Sequence, residues 1–288
     1  MVLRTLARAW IPRPVRIELL RLRRLPGWLA ETPRMAWRRG GEADLAGYRV
    51  RLARHESPLR RAGCAADPIL QAGKERNVAL AAGRIDGIVV GPGKVFSYHR
   101  AVGRPSRLRG FRPGPELHDG RLSQGIGGGC CQVSNLLYLL ALCSGMKIIE
   151  RHRHGVDMFP DHGRTVPFGC GATVFYNYAD LRFENPLDRP VALRLRIAGS
   201  HLVGEVWTDV DPGWTIEVYE ADAQRYRDGD AWIRENRVRR RICRDGAVLS
   251  DEEVAHNRAR VLYAQTEEGE PAMSPPISLK SMPCFAPR

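Results

Sequence analysis

The sequence predicts an α+β fold: a buried, cysteine-bearing helix packed on an antiparallel sheet, behind an N-terminal helical extension. Three observations predict it. Residues 135–143 are almost wholly apolar, and a helix apolar on all sides is a buried one. The final third alternates in short runs separated by turn signals, the pattern of antiparallel hairpins. Residues 1–40 carry leucines at helical spacing and are set apart from the rest by their charge.

The elements follow in order. In residues 1–40, Leu3, Leu6 and Trp10 follow one helical run, and Leu19, Leu22 and Leu25 another; Pro12 and Pro14 are expected to separate them. Residues 67–82 read as helix, in one or two pieces. A short strand over 94–98 follows the Gly91-Pro92-Gly93 turn, and 103–129, rich in Gly, Pro and Arg, reads as loop. Gly127-Gly128-Gly129-Cys130-Cys131-Gln132-Val133-Ser134 leads into the apolar helix, with Gly145 as its stop. Residues 146–154 alternate as a strand and 181–185 form another. Two hairpins follow, 191–197 with 202–207 around Ala198-Gly199-Ser200-His201, and 237–244 with 247–249 around Asp245-Gly246. The last twenty residues, with five prolines, read as an irregular tail. The expected divisions are a basic extension over 1–56, a central domain over 57–210 and a β-rich extension over 211–288.

Composition bounds the function. At 288 residues, 43% hydrophobic and 27% charged, the chain has the material of an ordinary globular protein. Its net charge of +13 favours anionic partners, but no nucleic-acid recognition motif accompanies it, so no specific nucleic acid is expected. Seven cysteines, odd in number and irregular in spacing, read as reduced thiols of a cytoplasmic protein rather than as a disulfide framework. No CxxC pair exists, and neither a metal nor another cofactor is expected. Arg4, Arg8, Arg13, Arg16, Arg21, Arg23 and Arg24 interrupt every candidate apolar run at the N-terminus, and residues 136–146 are too few to span a bilayer. Residues 1–40 hold ten arginines against two glutamates, +8 of the total, with Trp10, Trp28 and Trp37. Two expectations compete for them: peripheral contact with an anionic membrane, or packing of the leucines on the main domain with the arginines in water.

Cysteine after three glycines at a helix start has a physical use. The backbone turns sharply and lets a ligand approach, the helix N-terminus offers unpaired N–H groups, and a thiol placed there shifts toward thiolate. In Glu150-Arg151-His152-Arg153-His154, period-two alternation sets Glu150, His152 and His154 on one face, leaving the far end of that helix and able to run back toward Cys131. The resulting candidates are Cys131 as nucleophile, His152 or His154 as base, and Gly127, Gly128, Gly129, Gln132, Ser134 and Arg151 as ligand-binding positions. Cys131, Cys170, His152, His154 and His162 also have metal-ligand chemistry, but the cysteines lack compact ligand spacing. The plainer alternative makes Cys131 a core hydrophobe and the histidines a satisfied or exposed pair.

A series of motifs then resembles the VanW family. They are Pro92-Gly93-Lys94-Val95-Phe96-Ser97, Val102-Gly103, the Gly127–Ser134 run, Ile149–His154, Ala172-Thr173-Val174 and Asp180–Asn185, in order and spacing over about 60–210. The resemblance aligns the family's motif cysteine with Cys131 and puts Gly171 where the family pattern usually has an aspartate. It implies a setting in cell-envelope metabolism and glycopeptide resistance, with an envelope precursor or anionic peptide-type ligand as the partner. Two functions fit that setting: a Cys/His acyl-transfer enzyme, or a non-catalytic accessory module that binds through the Gly-rich segment.

Overall fold

A computed structural model describes residues 12–60, 67–118, 121–157, 166–263 and 277–278. Leu3, Leu6, Trp10, Cys64, His162 and Cys284, and most of the expected tail, lie outside the described residues. The chain runs through α1 (Arg13–Arg23), α2 (Leu25–Glu31), α3 (Glu42–Leu45), β1 (Val50–Pro58), α4 (Pro68–Ile85), β2 (Val89–Val90), β3 (Val95–Ser97) and α5 (Tyr98–Val102). It continues through β4 (Pro113–His118), β5 (Arg121–Ile126), α6 (Cys131–Cys143), β6 (Lys147–Glu150), β7 (Val156–Asp157) and β8 (Arg182–Glu184). Five long strands complete it: β9 (Val191–Ala198), β10 (His201–Thr208), β11 (Thr215–Asp228), β12 (Ala231–Arg244) and β13 (Ala247–Val261).

The α+β class holds. Three sheets have the orders β1-β10-β9-β2, β11-β12-β13-β7 and β3-β8-β6, with β4-β5 as a separate hairpin. All pairings are antiparallel except β13 with β7. The α6 helix is the centre of the molecule. From Val133 to Cys143 every residue except Asn135 is buried. It lies so close to β10 that a Cβ at Gly204 would sit 2.7 Å from Leu140 and 2.8 Å from Leu136. The helix ends as the sequence predicts: Gly145 takes φ +78° and the Met146 amide bonds back to Ala141. Both two-residue hairpin turns also form, at Gly199-Ser200 and at Asp245-Gly246, with left-handed φ at Gly199 and at both Asp245 and Gly246.

Several expectations are corrected. Pro12 and Pro14 stand at the start of α1, where a missing N–H costs nothing; the helical run expected before them lies outside the described residues, and a further, unexpected break falls at Arg24. Residues 103–129 are not loop throughout, because β4 and β5 pair over six residue pairs. Their glycines and prolines hide the alternation that marks a strand. The 67–82 helix is one piece extending to Ile85, started by Asp67, whose side chain accepts from the Ile69 amide. The third strand of the C-terminal sheet, β11, shows no sequence signal strong enough to announce it. One hydrophobic core joins α6, α4 and the β1-β10-β9 sheet, and it includes Ile216, Val218 and Val238 from the C-terminal sheet. The core therefore crosses the expected boundary at 210, and β1 carries sheet structure into the N-terminal extension.

Candidate functional site

Cys131 is the first residue of α6, following Cys130. The glycine run before it is packed rather than open. A Cβ on Gly128 would lie 2.1 Å from the Gly114 carbonyl oxygen, and one on Gly129 2.3 Å from the Lys74 side chain. Buried Asn77 of α4 ties this segment down, donating to the carbonyls of Arg112 and Gly128, both at 2.9 Å, and accepting from the Arg112 amide at 2.8 Å. Gln132 clamps the end of β1, donating to Ser57 Oγ and to the Pro58 carbonyl, each at 2.8 Å. Ser134 donates to the Ala172 carbonyl at 2.6 Å. Gly127–Gly129, Gln132 and Ser134 thus each make close contacts within the fold.

The Cys131 thiol faces the 171–174 segment and donates to the Val174 carbonyl at 3.9 Å. Burial raises its pKa, outweighing the lowering by that hydrogen bond. This is the reverse of the shift its helix-start position alone would give. Cys130 is buried more deeply and is pushed up to about 12 by burial and by its cysteine neighbour.

The two histidines part company. After a register shift between Ile148 and Glu150 opposite β8, β6 ends at Glu150, so the expected strand through residue 154 is corrected. Beyond it, the Thr173 N–H donates to the His152 carbonyl at 2.8 Å. His152 is exposed and meets Glu150 at 2.9 Å. His154 is half-buried, with one ring nitrogen 3.2 Å from Asn135 Oδ1 and the other 3.0 Å from Thr173 Oγ1. Asn135, one turn after Cys131 on α6, also accepts from the Ala172 amide at 2.8 Å. Cys131, Ser134, Asn135 and His154 therefore all engage the 171–174 segment, whereas His152 belongs to a different cluster. Arg151 turns inward over the Tyr138 ring and donates to the carbonyls of Gly169 and Gly171. A Cβ at Gly171 would lie 2.9 Å from Asn135 Oδ1 and 3.3 Å from His154, so this position must stay small for the Asn135–His154 contact to form.

Sequence reasoning missed the second cluster. Glu150 accepts from His152, from Arg24 at 2.6 Å and from the Asp180 amide at 3.1 Å. Burial alone would raise the Glu150 pKa, but these partners hold it below the usual range. Asp180 accepts from Ser97 Oγ at 2.6 Å and from the His99 amide at 3.0 Å, and burial lifts its carboxyl to about 6. His99, 3% exposed, accepts from the Asn177 amide through Nδ1 at 3.1 Å. Its Nε2 is buried without a partner, and its pKa falls to about 3 through burial and then the charge of Arg24. The sequence signals for this group are Glu150 and His152 in the alternating run, Ser97-x-His99 after a strand, and Asp180 in the motif series. Among the described residues no three His, Cys, Asp or Glu side chains gather as metal ligands.

Fold and site define an α+β domain built round a buried helix whose leading cysteine is held against a facing extended segment. Residues 73–207 match the model of the VanW family, described as VanW like protein. The vancomycin B-type resistance protein VanW of Enterococcus faecalis is 27% identical over 203 residues, covering 70% of this chain and 74% of that one. The uncharacterized protein YoaR of Bacillus subtilis is 34% identical over 133 residues, covering 45% of this chain and 41% of that protein. The chain thus spans less than half the length of YoaR. No solved structure matches the chain.

Proposed function

We propose that the chain is a non-catalytic accessory module of cell-envelope metabolism, in the setting of glycopeptide resistance, that binds an anionic peptide-type precursor. One observation carries the choice between binding and catalysis. The Cys131 thiol is engaged by a backbone carbonyl, while the ring nitrogens of His152 and His154 make their hydrogen bonds to Glu150, Asn135 and Thr173. A Cys/His enzyme requires its base within hydrogen-bond reach of the nucleophile, directly or through one water. The name of the enterococcal relative supports the resistance setting.

The binding surface we assign lies where the 152–154 segment meets the 173–178 segment. It offers exposed Arg153 and His152 beside exposed Phe175 and Tyr178. A guanidinium suits a peptide carboxylate and the rings suit apolar side chains. Calorimetric titration with a peptidoglycan-type stem peptide tests the reading. Arg153→Gln and Phe175→Ala should each weaken binding about tenfold, and Cys131→Ser should leave it unchanged. Turnover of the peptide by the full chain, abolished in Cys131→Ser, would establish the acyl-transfer alternative instead.

A further inference from the structure

The N-terminal helices are mounted with Arg21 and Arg24 inward and their leucines outward, the reverse of a surface helix on a soluble domain. Polar contacts fix that orientation. Arg21 donates to the Tyr176 carbonyl at 3.0 Å and stacks over Phe175, and its own carbonyl accepts from Asn177. Arg24 reaches Glu150 and the Tyr178 carbonyl. Arg182 pairs with Glu31 at 2.8 Å, and Arg100 holds the end of α2 through Trp28 and Thr32. With the inward face set by arginine and Trp28, the leucines face solvent. Val15, Leu19 and Leu22 recur one turn apart along α1, and Leu25 and Leu29 carry the strip onto α2. Leu19 is 45%, Leu22 57% and Leu29 75% exposed. The expectation that Leu19 packs on the domain is therefore corrected.

We propose that this leucine face docks on an anionic membrane surface. Charge complementarity decides the occupant. On the helical wheel Arg16 and Arg23 flank the Val15-Leu19-Leu22 line, and among the described residues neither forms an ion pair. The only acidic side chain of α1, Glu18, lies on the other flank and is neutralised by Arg21 and Arg104. Leucines along the contact line with unpaired arginines beside them suit acyl chains below and anionic headgroups alongside. The whole chain, at +13, adds long-range attraction of the same sign. Among the described residues no helix is long and apolar enough to cross a membrane, so the contact is one that lies on the surface.

The test is co-sedimentation of the full chain with phosphatidylglycerol/phosphatidylcholine vesicles and with pure phosphatidylcholine vesicles at low salt. The chain should pellet with the anionic vesicles and remain in solution with the neutral ones. A triple variant, Leu19→Ser with Leu22→Ser and Leu29→Ser, should partition about tenfold less, and Arg16→Gln with Arg23→Gln should flatten the salt dependence. Because these side chains are exposed, the circular dichroism of the variants should match the parent; Leu29→Ser alone serves as the second variant should the triple one unfold. Three results would overturn the proposal: no pelleting of the full chain, equal pelleting of the leucine variants, or a dimer in light scattering that the triple variant converts to monomer, which would give the face to a second copy.

Discussion

Cys131 shows how environment outvotes position at a single residue. A helix start stabilises thiolate by a partial charge that fades within one turn, whereas burial removes the water that solvates the anion. The thiol pKa is raised. Iodoacetamide at neutral pH should accordingly alkylate Cys131 more slowly than glutathione, and His152→Ala or His154→Ala should change that rate less than about twofold. Faster labelling that drops in either histidine variant would show an activated thiol. His99 supplies a second prediction at this scale. Its folded pKa of about 3 lies below its ordinary value of 6.5, so its contribution to stability is present above 6.5 and is lost as pH falls toward 3. Asp180 acts oppositely: raised from 3.8 to about 6, its contribution is present below 3.8 and is lost as pH rises through 6. Urea midpoints at about pH 7 and about pH 5 should fall more on acidification in the parent than in His99→Gln. Equal slopes would remove His99 from the acid response.

At the scale of the element, α6 depends on what closes its two ends. Its N-terminal turn is tied through Cys131, Ser134 and Asn135 to the 171–174 segment. Its C-terminus is closed by Arg240 of β12, which donates to the Leu142 carbonyl of the last turn at 3.5 Å and to the Met146 carbonyl just beyond at 2.8 Å, while paired to Glu252 at 2.6 Å. A cation at the last carbonyls satisfies orphan acceptors and complements the helix dipole. Arg240→Met keeps an apolar stem but removes the donors, and should cost about 2 kcal/mol in chemical unfolding, a charged hydrogen bond being worth about 1.5–3 kcal/mol. A loss under about half a kcal/mol would show that water replaces the guanidinium at no cost.

At the scale of the whole molecule, the C-terminal strands are part of the body. Ile216, Val218 and Val238 lie in the same core as the α6 leucines, and Trp214 packs against it. A chain ending at residue 210 would expose that side of α6 and lose Arg240. It should be insoluble or protease-sensitive, and the full chain should unfold in one calorimetric transition. Two separate transitions, with a stable fragment over 57–210, would restore the division expected from the sequence.

The sequence by itself determined what is local and what is compositional. The all-apolar run fixed α6 as the buried centre, Gly145 its stop, and Gly199-Ser200 and Asp245-Gly246 two hairpins, because each depends on neighbours a few residues away. The motif series pointed to the VanW-like segment that the family model matches over residues 73–207. Tertiary structure alone decided the rest. Asn135 passed as one polar residue in an apolar run until the 171–174 segment arrived to meet it. His152 and His154 share a strand parity on paper, but the strand stops at Glu150, so the alternation does not carry on and the two rings reach different clusters. His99, Asp180 and Glu150 come from three separate stretches, and only the β3-β8-β6 sheet brings those stretches together. The facing of α1 was also undecided in the sequence, since leucine and arginine each define a stripe; acceptors at Tyr176, Tyr178 and Glu150 chose arginine for the inside, because a charged donor gains more from fixed acceptors there than leucine gains from a polar surface.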